Sequence, residues 1–238
     1  MFSKSDLHDE SELEMHVNAQ YNVASPQSFA VKLATHQRRK MFAKFQTETK
    51  ITSRDTILDV GVTSDQGYEH SNYFEAWYPF KEKITAVGLD DARFLEDLYP
   101  GMKFVRADGG CLPFGNGDFD FVHSSAVLEH VGGEDQQTQF LKELWRVARK
   151  GIFVTTPNRW FPVEFHTVLP FIHWLPVSIY RRLLFALGHG FFADERNLNL
   201  LSRRSLANAA RQAGVSNFRV LSASLLGWPT NLLLIAEK

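Results

Sequence analysis

Between Thr56 and Asn158 short apolar runs alternate with polar or amphipathic stretches, and this rhythm limits the possible folds more than any other feature of the chain. TILDVG, ITAVGLD, KFVRAD, FDFVHSS and GIFVTTPN have the length and β-branched or aromatic content of strands. SNYFEAWYPF, which Ser71 is placed to cap, DARFLEDLY and QQTQFLKELWRVA read as helices between them. Such alternation predicts a parallel sheet covered on both faces, with ligands at the carboxyl ends of its strands. The tail departs from the rhythm. After the helix SRRSLANAARQAG, the runs FRVLSASLLG and NLLLIAEK are separated only by WPT. So short a connection cannot hold a crossover helix, so these two strands must pair antiparallel. The expected class is α/β, a seven-stranded, mostly parallel sheet ending in an antiparallel hairpin, with helices on both faces.

Upstream, a polar lead to about Pro26 precedes a helix over 28–46, in which Phe29, Leu33, Met41 and Phe45 recur at roughly helical spacing. With 238 residues, 44% hydrophobic and 22% charged, the chain suits one well-cored domain with an elaboration. Two units are expected: a helical lead over 1–50, and a single domain over 51–238 carrying an aromatic-rich insertion at about 157–200. The 26 Lys+Arg residues balance 27 Asp+Glu residues, so nucleic acid is not an expected partner. A single cysteine, Cys111, excludes an intrachain disulfide, fits a reducing cytoplasm and reads as inert packing. The first residues lack the apolar core of a signal peptide.

The most specific run is ADGGCLPFGNGDFDFVHSSAVLEHV, from Ala107 to Val131. An acid and a small residue after the third strand, a Leu-Pro-Phe turn, Phe-Asp opening the fourth strand and Leu-Glu-His-Val beyond it resemble the class I S-adenosylmethionine-dependent methyltransferases, and among them the type 11 methyltransferase domain. The resemblance covers roughly Thr56 to Ala148 by motif and reaches the C-terminus by order of elements. It implies a Rossmann-like fold, a methyltransferase activity and S-adenosyl-L-methionine as cofactor, with the 1–50 lead covering the cofactor site.

The implied cofactor-binding residues are Asp59, Gly61, Val62, Asp90, Asp91, Asp108, Gly109, Ser124 and Ser125. An acid at a strand end such as Asp108 can accept from an adenine amine, while Gly109 lets a ring approach the backbone; the alternative is that the pair only forms a turn. Asp90 and Asp91 end the second strand, where a carboxylate accepts from ribose hydroxyls or caps a helix. Asp59 and Gly61 match the family's acid-x-Gly-x-Gly-x-Gly loop, but Thr63 and Asp65 stand in place of the later glycines. Either the loop is wider, with Gly67, Ser71 and Asn72 near the cofactor, or cofactor binding is weakened or lost. Ser124 and Ser125 are expected to face the methionine portion.

The insertion, Thr155 to Asn197, is dense in aromatic and aliphatic residues. Prolines and charges interrupt it too often for a membrane span. In the family this segment helps form the acceptor pocket, so its lining suggests a small-molecule or lipid-linked acceptor, or an edge at 160–192 resting on the inner face of a membrane. A homodimer interface is the structural alternative. Methyl transfer needs an aligned acceptor in a dry site, and an oxygen acceptor gains from a base. His166, close after the strand-end turn TTPN, is the expected catalytic base, with Glu164 and His130 behind it; a histidine packed under the site is the other reading of His130. No metal is expected, because the histidines lack HxxxH or HExxH spacing. Two functions follow: a methyltransferase acting on a lipophilic or glycan-linked hydroxyl, or a non-catalytic relative with an eroded cofactor loop.

Overall fold

The computed structural model describes residues 29–67 and 71–238. The expected lead before Phe29 lies outside the described residues. Helix α1 (Phe29–Thr49) is followed by β1 (Ile57–Val60), α2 (Tyr73–Trp77), β2 (Ile84–Gly88), α3 (Phe94–Leu98), β3 (Lys103–Arg106), β4 (Phe119–Ser125), α4 (Glu134–Val147) and β5 (Ala148–Pro157). The insertion holds α5 (Val177–Ala186) and α6 (Gly190–Ala193), and the chain ends with α7 (Arg203–Gln212), β6 (Phe218–Leu225) and β7 (Trp228–Glu237).

The seven strands lie in the order β3-β2-β1-β4-β5-β7-β6. The first five are parallel, and β7 runs antiparallel between β5 and β6, as the short tail connection required. β1 and β4 sit side by side at the point where the strand order reverses, which is where open α/β sheets leave a crevice at their carboxyl ends.

Both faces are covered. Leu58, Val122, Ile152 and Leu234 pack against Phe140, Leu141 and Leu144 of α4 and Leu206 and Ala210 of α7. On the other face Ile57, Phe153 and Ile235 meet Met41 and Phe45 of α1, Phe74 of α2 and Leu95 of α3. α1 therefore takes the place of a crossover helix, and Phe45 touches Phe74, Phe153 and His123 edge-on at ring separations of 5.2 to 5.5 Å. In the insertion Tyr180, Leu184, Phe192 and Leu198 make a small core of their own. Among the described residues no helix is long and apolar enough to cross a membrane.

Three local expectations are corrected. The hairpin turns at Leu226 and Gly227, both with positive φ, while Trp228, Pro229 and Thr230 already belong to β7; successive positive φ values suit the right-handed twist of a two-residue hairpin loop. Asn72 rather than Ser71 precedes α2, with no side-chain cap, because the Asn72 amide is used elsewhere. Cys111 is exposed and unpaired rather than packed.

Candidate functional site

A cleft of about 510 Å³ opens at the carboxyl ends of β1, β2 and β4. Gly61, Val62 and Thr63 after β1, Gly88 and Leu89 at the end of β2, Ala107 to Gly109 after β3 and Ser125 to Val127 after β4 form its floor and walls. α1 contributes Val31, Ala34, Gln37, Arg38 and Met41 from above, and the far end is closed by His130, Pro157, Phe165, His166 and Asn231.

The glycines in the floor answer to close packing. Gly61 has φ 110°, and a Cβ there would lie 2.0 Å from Val127 Cγ2. Its amide and that of Val62 both donate to the Val87 carbonyl, at 2.7 and 3.0 Å, so the chain turns sharply over β2. Gly109 lines the cleft, but a Cβ on it would strike Phe140 at 2.4 Å and Val60 at 2.9 Å. The packing of α4 therefore demands this glycine independently of any ligand.

The acids divide by role. Asp108 lines the cleft, and its Oδ1 accepts from Gly110 N at 2.7 Å, which holds the turn after β3. Asp90 is half-buried directly after the lining residues Gly88 and Leu89. Asp91 is exposed and clasped by Arg93 at 2.5 Å, whose hydrogen bonds hold its carboxyl down to about 2. Neither carboxylate is among the groups that line the cleft.

Asp59 does not line the cleft. Its carboxyl is buried behind β1, 2.5 Å from His123 Nδ1, and His123 Nε2 lies 3.3 Å from the Tyr73 hydroxyl. Burial pushes Asp59 up to about 7 and His123 down to about 3, so the imidazole is neutral and the contact is a short hydrogen bond rather than an ion pair. Glu75, fully buried beside them, is raised well above the usual carboxylate range by burial and then by the charge of Asp59. Ser125 is a further neighbour of Tyr73, so this buried network supports the cleft wall from behind.

The two serines also part company. Side chains alternate along a strand; Ser124 points into the sheet and donates to the Val60 carbonyl at 2.7 Å, while Ser125 lines the cleft and pairs with Thr155 at 2.9 Å. The expectation that both face a ligand is corrected for Ser124.

The three residues expected to carry catalysis converge. Glu164 is buried and accepts from Thr167 N, Thr167 Oγ1, His166 N and His166 Nδ1, all at 2.7 to 2.9 Å. Burial alone would raise it, but His166 and these bonds hold it at about 2. Burial works to lower His166, and the Glu164 carboxylate overrides it and raises the imidazole. His130 stands edge-on to His166 with ring centroids 4.6 Å apart, and burial followed by the neighbouring His166 pushes it down to about 3. Its Nδ1 lies 2.6 Å from the Asn197 carbonyl.

Sequence reasoning expected the 1–50 lead to cover the site but singled out none of the α1 residues that line the cleft. Both amide atoms of buried Gln37 lack a hydrogen-bond partner. Arg38, lowered by burial, is a cleft-lining guanidinium for which the described residues supply no carboxylate. In the sequence Gln37 precedes and Arg38 opens a basic run, Arg38-Arg39-Lys40, that by itself reads as a solvated helix face. The insertion divides its apolar residues: Phe165 lines the cleft, whereas Phe171, Ile179, Phe185 and Leu187 are exposed.

Residues 58–155 match the family model described as a methyltransferase domain. No curated protein sequence matches the chain. Among solved structures, the Burkholderia thailandensis 1,6-didemethyltoxoflavin-N1-methyltransferase, bound to 1,6-didemethyltoxoflavin and S-adenosylhomocysteine, aligns with a TM-score of 0.58 at 14% identity over 100% of this chain and 91% of its own. The magnesium protoporphyrin IX methyltransferase of Synechocystis, with bound S-adenosylhomocysteine, gives 0.57 at 14% identity over 99% and 100%. A SAM-dependent methyltransferase from Aquifex aeolicus gives 0.55 at 14% identity over 100% and 99%. At such identities the likeness to these structures is one of fold.

Proposed function

The chain carries a class I methyltransferase domain, and on that premise we propose that it transfers a methyl group from S-adenosyl-L-methionine to a hydroxyl of a small or lipid- or glycan-linked lipophilic acceptor. The observation that carries this reading is the cleft itself: it lies at the carboxyl ends of the adjacent strands β1 and β4, takes most of its lining from the matched segment, and is closed at its far end by Phe165 and His166 of the insertion.

The residues present fit the cofactor. Asp108 in the cleft supplies a carboxylate for an adenine amine and Asp90, directly after the lining residue Leu89, one for ribose hydroxyls; Ser125 supplies a hydroxyl, and half-buried Arg38 supplies a cation for the methionine carboxylate. When bound, S-adenosylmethionine supplies an electrophilic methyl carbon on a sulfonium. The chain's part is to exclude water, align the acceptor and receive its proton. The Glu164–His166 pair suits proton acceptance: the carboxylate holds Nδ1, which leaves Nε2 as the nitrogen that can receive a proton. His166 is the catalytic residue of this reading and Glu164 its positioning residue. The apolar exterior of the insertion, through 160–192, is the surface we assign to peripheral membrane contact.

The test is titration of the protein with S-adenosylhomocysteine, followed by transfer of labelled methyl from S-adenosylmethionine to lipophilic hydroxylated acceptors. Micromolar binding with transfer, and a loss of ~10²-fold in kcat/KM for His166→Ala, is the expected result. Absence of binding would favour the non-catalytic alternative raised by Thr63 and Asp65. Transfer with His166→Ala within a few-fold of wild type would remove the base from the mechanism.

A further inference from the structure

Glu129, His130 and His166 come together at the far end of the cleft from two distant stretches of chain. Each offers one ligand atom, and the three atoms lie within 4.8 Å of one another. Glu129 is fully buried. Its Oε2 accepts from the Thr156 hydroxyl at 2.9 Å, but its Oε1 has no hydrogen-bond partner. A buried carboxylate oxygen without a donor is costly, and its presence calls for a cause. Oε1 lies 3.9 Å from His130 Nε2.

The two imidazoles are oriented in the manner of metal ligands. His130 Nδ1 faces the Asn197 carbonyl at 2.6 Å, so that nitrogen must carry the hydrogen and Nε2 the lone pair. His166 Nδ1 faces the Glu164 carboxylate at 2.7 Å, which assigns the same tautomer to the neutral ring. Histidines that bind metals almost always donate their other ring N–H to a carbonyl or carboxylate, which fixes the ring and raises its basicity. Here both kinds of outer partner are present. The 3₁₀ segment Leu128–His130 is itself clamped by the end of the insertion, since Asn199 N donates to the Glu129 carbonyl at 2.7 Å.

We propose that Glu129, His130 and His166 bind a divalent transition-metal ion, with its remaining coordination positions open to the cleft. Two imidazole nitrogens and one carboxylate oxygen form a mixed set suited to zinc or ferrous iron rather than to magnesium or calcium. Metal–ligand bonds of about 2.0 to 2.2 Å place ligand atoms roughly 3 to 3.5 Å apart, so the triad contracts by about 1 Å around the ion. His130 and His166 line the cleft, so the open positions face whatever occupies it.

Ion binding itself is independent of the methyl-transfer reading; only its use rests on that reading. An acceptor hydroxyl reaching this end of the cleft would coordinate the ion, which would lower its pKa so that its proton passes to bulk water before the methyl group is transferred. His166 would then hold the ion instead of taking the proton, so chelation separates the two roles.

The experiment uses the full chain stripped with a chelator, titrated with Co²⁺ by absorption and with Zn²⁺ by calorimetry, with S-adenosylhomocysteine titrated alongside in both states. One ion per chain with cobalt ligand-field bands is expected. His166→Ala and Glu129→Gln should each weaken binding by at least 100-fold, and Glu164→Gln by about 10 to 100-fold, as for an outer partner. Should Glu129→Gln fail to fold, His166→Ala at the cleft surface carries the test, its fold checked by melting. No stoichiometric ion in the wild type, or unchanged binding by His166→Ala, overturns the site. S-adenosylhomocysteine binding without ion uptake overturns the metal alone, whereas ion uptake without cofactor binding overturns methyl transfer alone.

Discussion

Replacing Glu75 by glutamine should flatten the dependence of stability on pH between 6 and 8. Glu75 is fully buried in α2 beside Asp59, and burial followed by the charge of Asp59 and a hydrogen bond to it raises Glu75 well above its usual value of 4.5. In the unfolded chain that carboxyl is ionised throughout this window, while in the folded chain it keeps its proton. Unfolding then releases one proton. A raised acid contributes most at low pH, and stability falls as pH climbs toward the folded value, at about 1.4 kcal/mol per pH unit for one retained proton. Two units amount to about 3 kcal/mol. Glutamine is neutral in both states and has no such slope, while Asp59 and His123 remain in both proteins and largely cancel in the difference. For a chain of this size 1 kcal/mol corresponds to roughly 2 to 4 °C, so the wild-type Tm should drop by roughly 6 to 12 °C more than that of the variant. The assay is urea and thermal denaturation of both proteins at pH 6, 7 and 8. Parallel stability curves would mean that Glu75 is ionised in the native protein, and the account of a neutral buried network would fail.

Four further outcomes are expected. Gly61→Ala forces a Cβ to 2.0 Å from Val127 Cγ2 at φ 110°, and should both lower Tm and abolish S-adenosylhomocysteine binding by calorimetry. Arg38→Met should weaken S-adenosylhomocysteine by about 10 to 100-fold, as for loss of a charged hydrogen bond, while leaving 5′-methylthioadenosine, which lacks the carboxylate, unchanged; equal losses for both ligands would place Arg38 elsewhere. Asp91→Asn should leave cofactor affinity within a few-fold, because Arg93 already occupies that carboxylate, whereas Asp90→Asn should weaken it by about 1 to 3 kcal/mol. Phe185, 75% exposed on α5, should govern co-sedimentation with anionic vesicles, and Phe185→Asp should abolish it; dimers by ultracentrifugation with no vesicle binding would assign that face to self-association.

The fold was legible because periodicity and loop length carry it. Alternating runs announced the parallel strands, and the shortness of the last connection forced β6 and β7 antiparallel. Residues at the strand ends were legible for the same reason: Gly61, Val62, Asp108, Gly109 and Ser125 reach the cleft because the carboxyl ends of a parallel sheet do. What escaped were contacts that sequence distance hides. Asp59 was matched by position, but its carboxyl meets His123, 64 residues away, and turns from the cleft. Arg38 and Gln37 gave no sign because α1 precedes the matched motifs and only tertiary packing brings it over them. The convergence of Glu129, His130 and His166 was likewise hidden, because they are contributed by a 3₁₀ turn and an insertion rather than by one helix.

The loop after β1 poses the sharpest question, because Thr63 and Asp65 replace glycines that usually shape it. A glycine-rich loop is held by backbone freedom; this one is held by side chains. Asn72 Oδ1 accepts from Thr63 N and Asn72 Nδ2 donates to the Thr63 carbonyl, both at 2.9 Å, so one amide grips both polar groups of the residue in place of the second glycine. Thr63 Oγ1 then accepts from Asp65 N at 3.0 Å, and Asp65 Oδ1 from Gly67 N at 2.7 Å. Asx and Ser/Thr turns of this kind fix a bend without positive φ. Gly61, the one glycine kept, stands where a Cβ would collide with Val127. The substitutions therefore replace glycine at positions where local hydrogen bonds can shape the chain, and spare it where sterics allow no alternative. Asn72→Ala should then loosen the loop and lower cofactor affinity by about 10-fold or more, roughly the loss of one or two hydrogen bonds, with little change in Tm. An unchanged affinity would mean that the loop owes its shape to the core beneath it and not to Asn72.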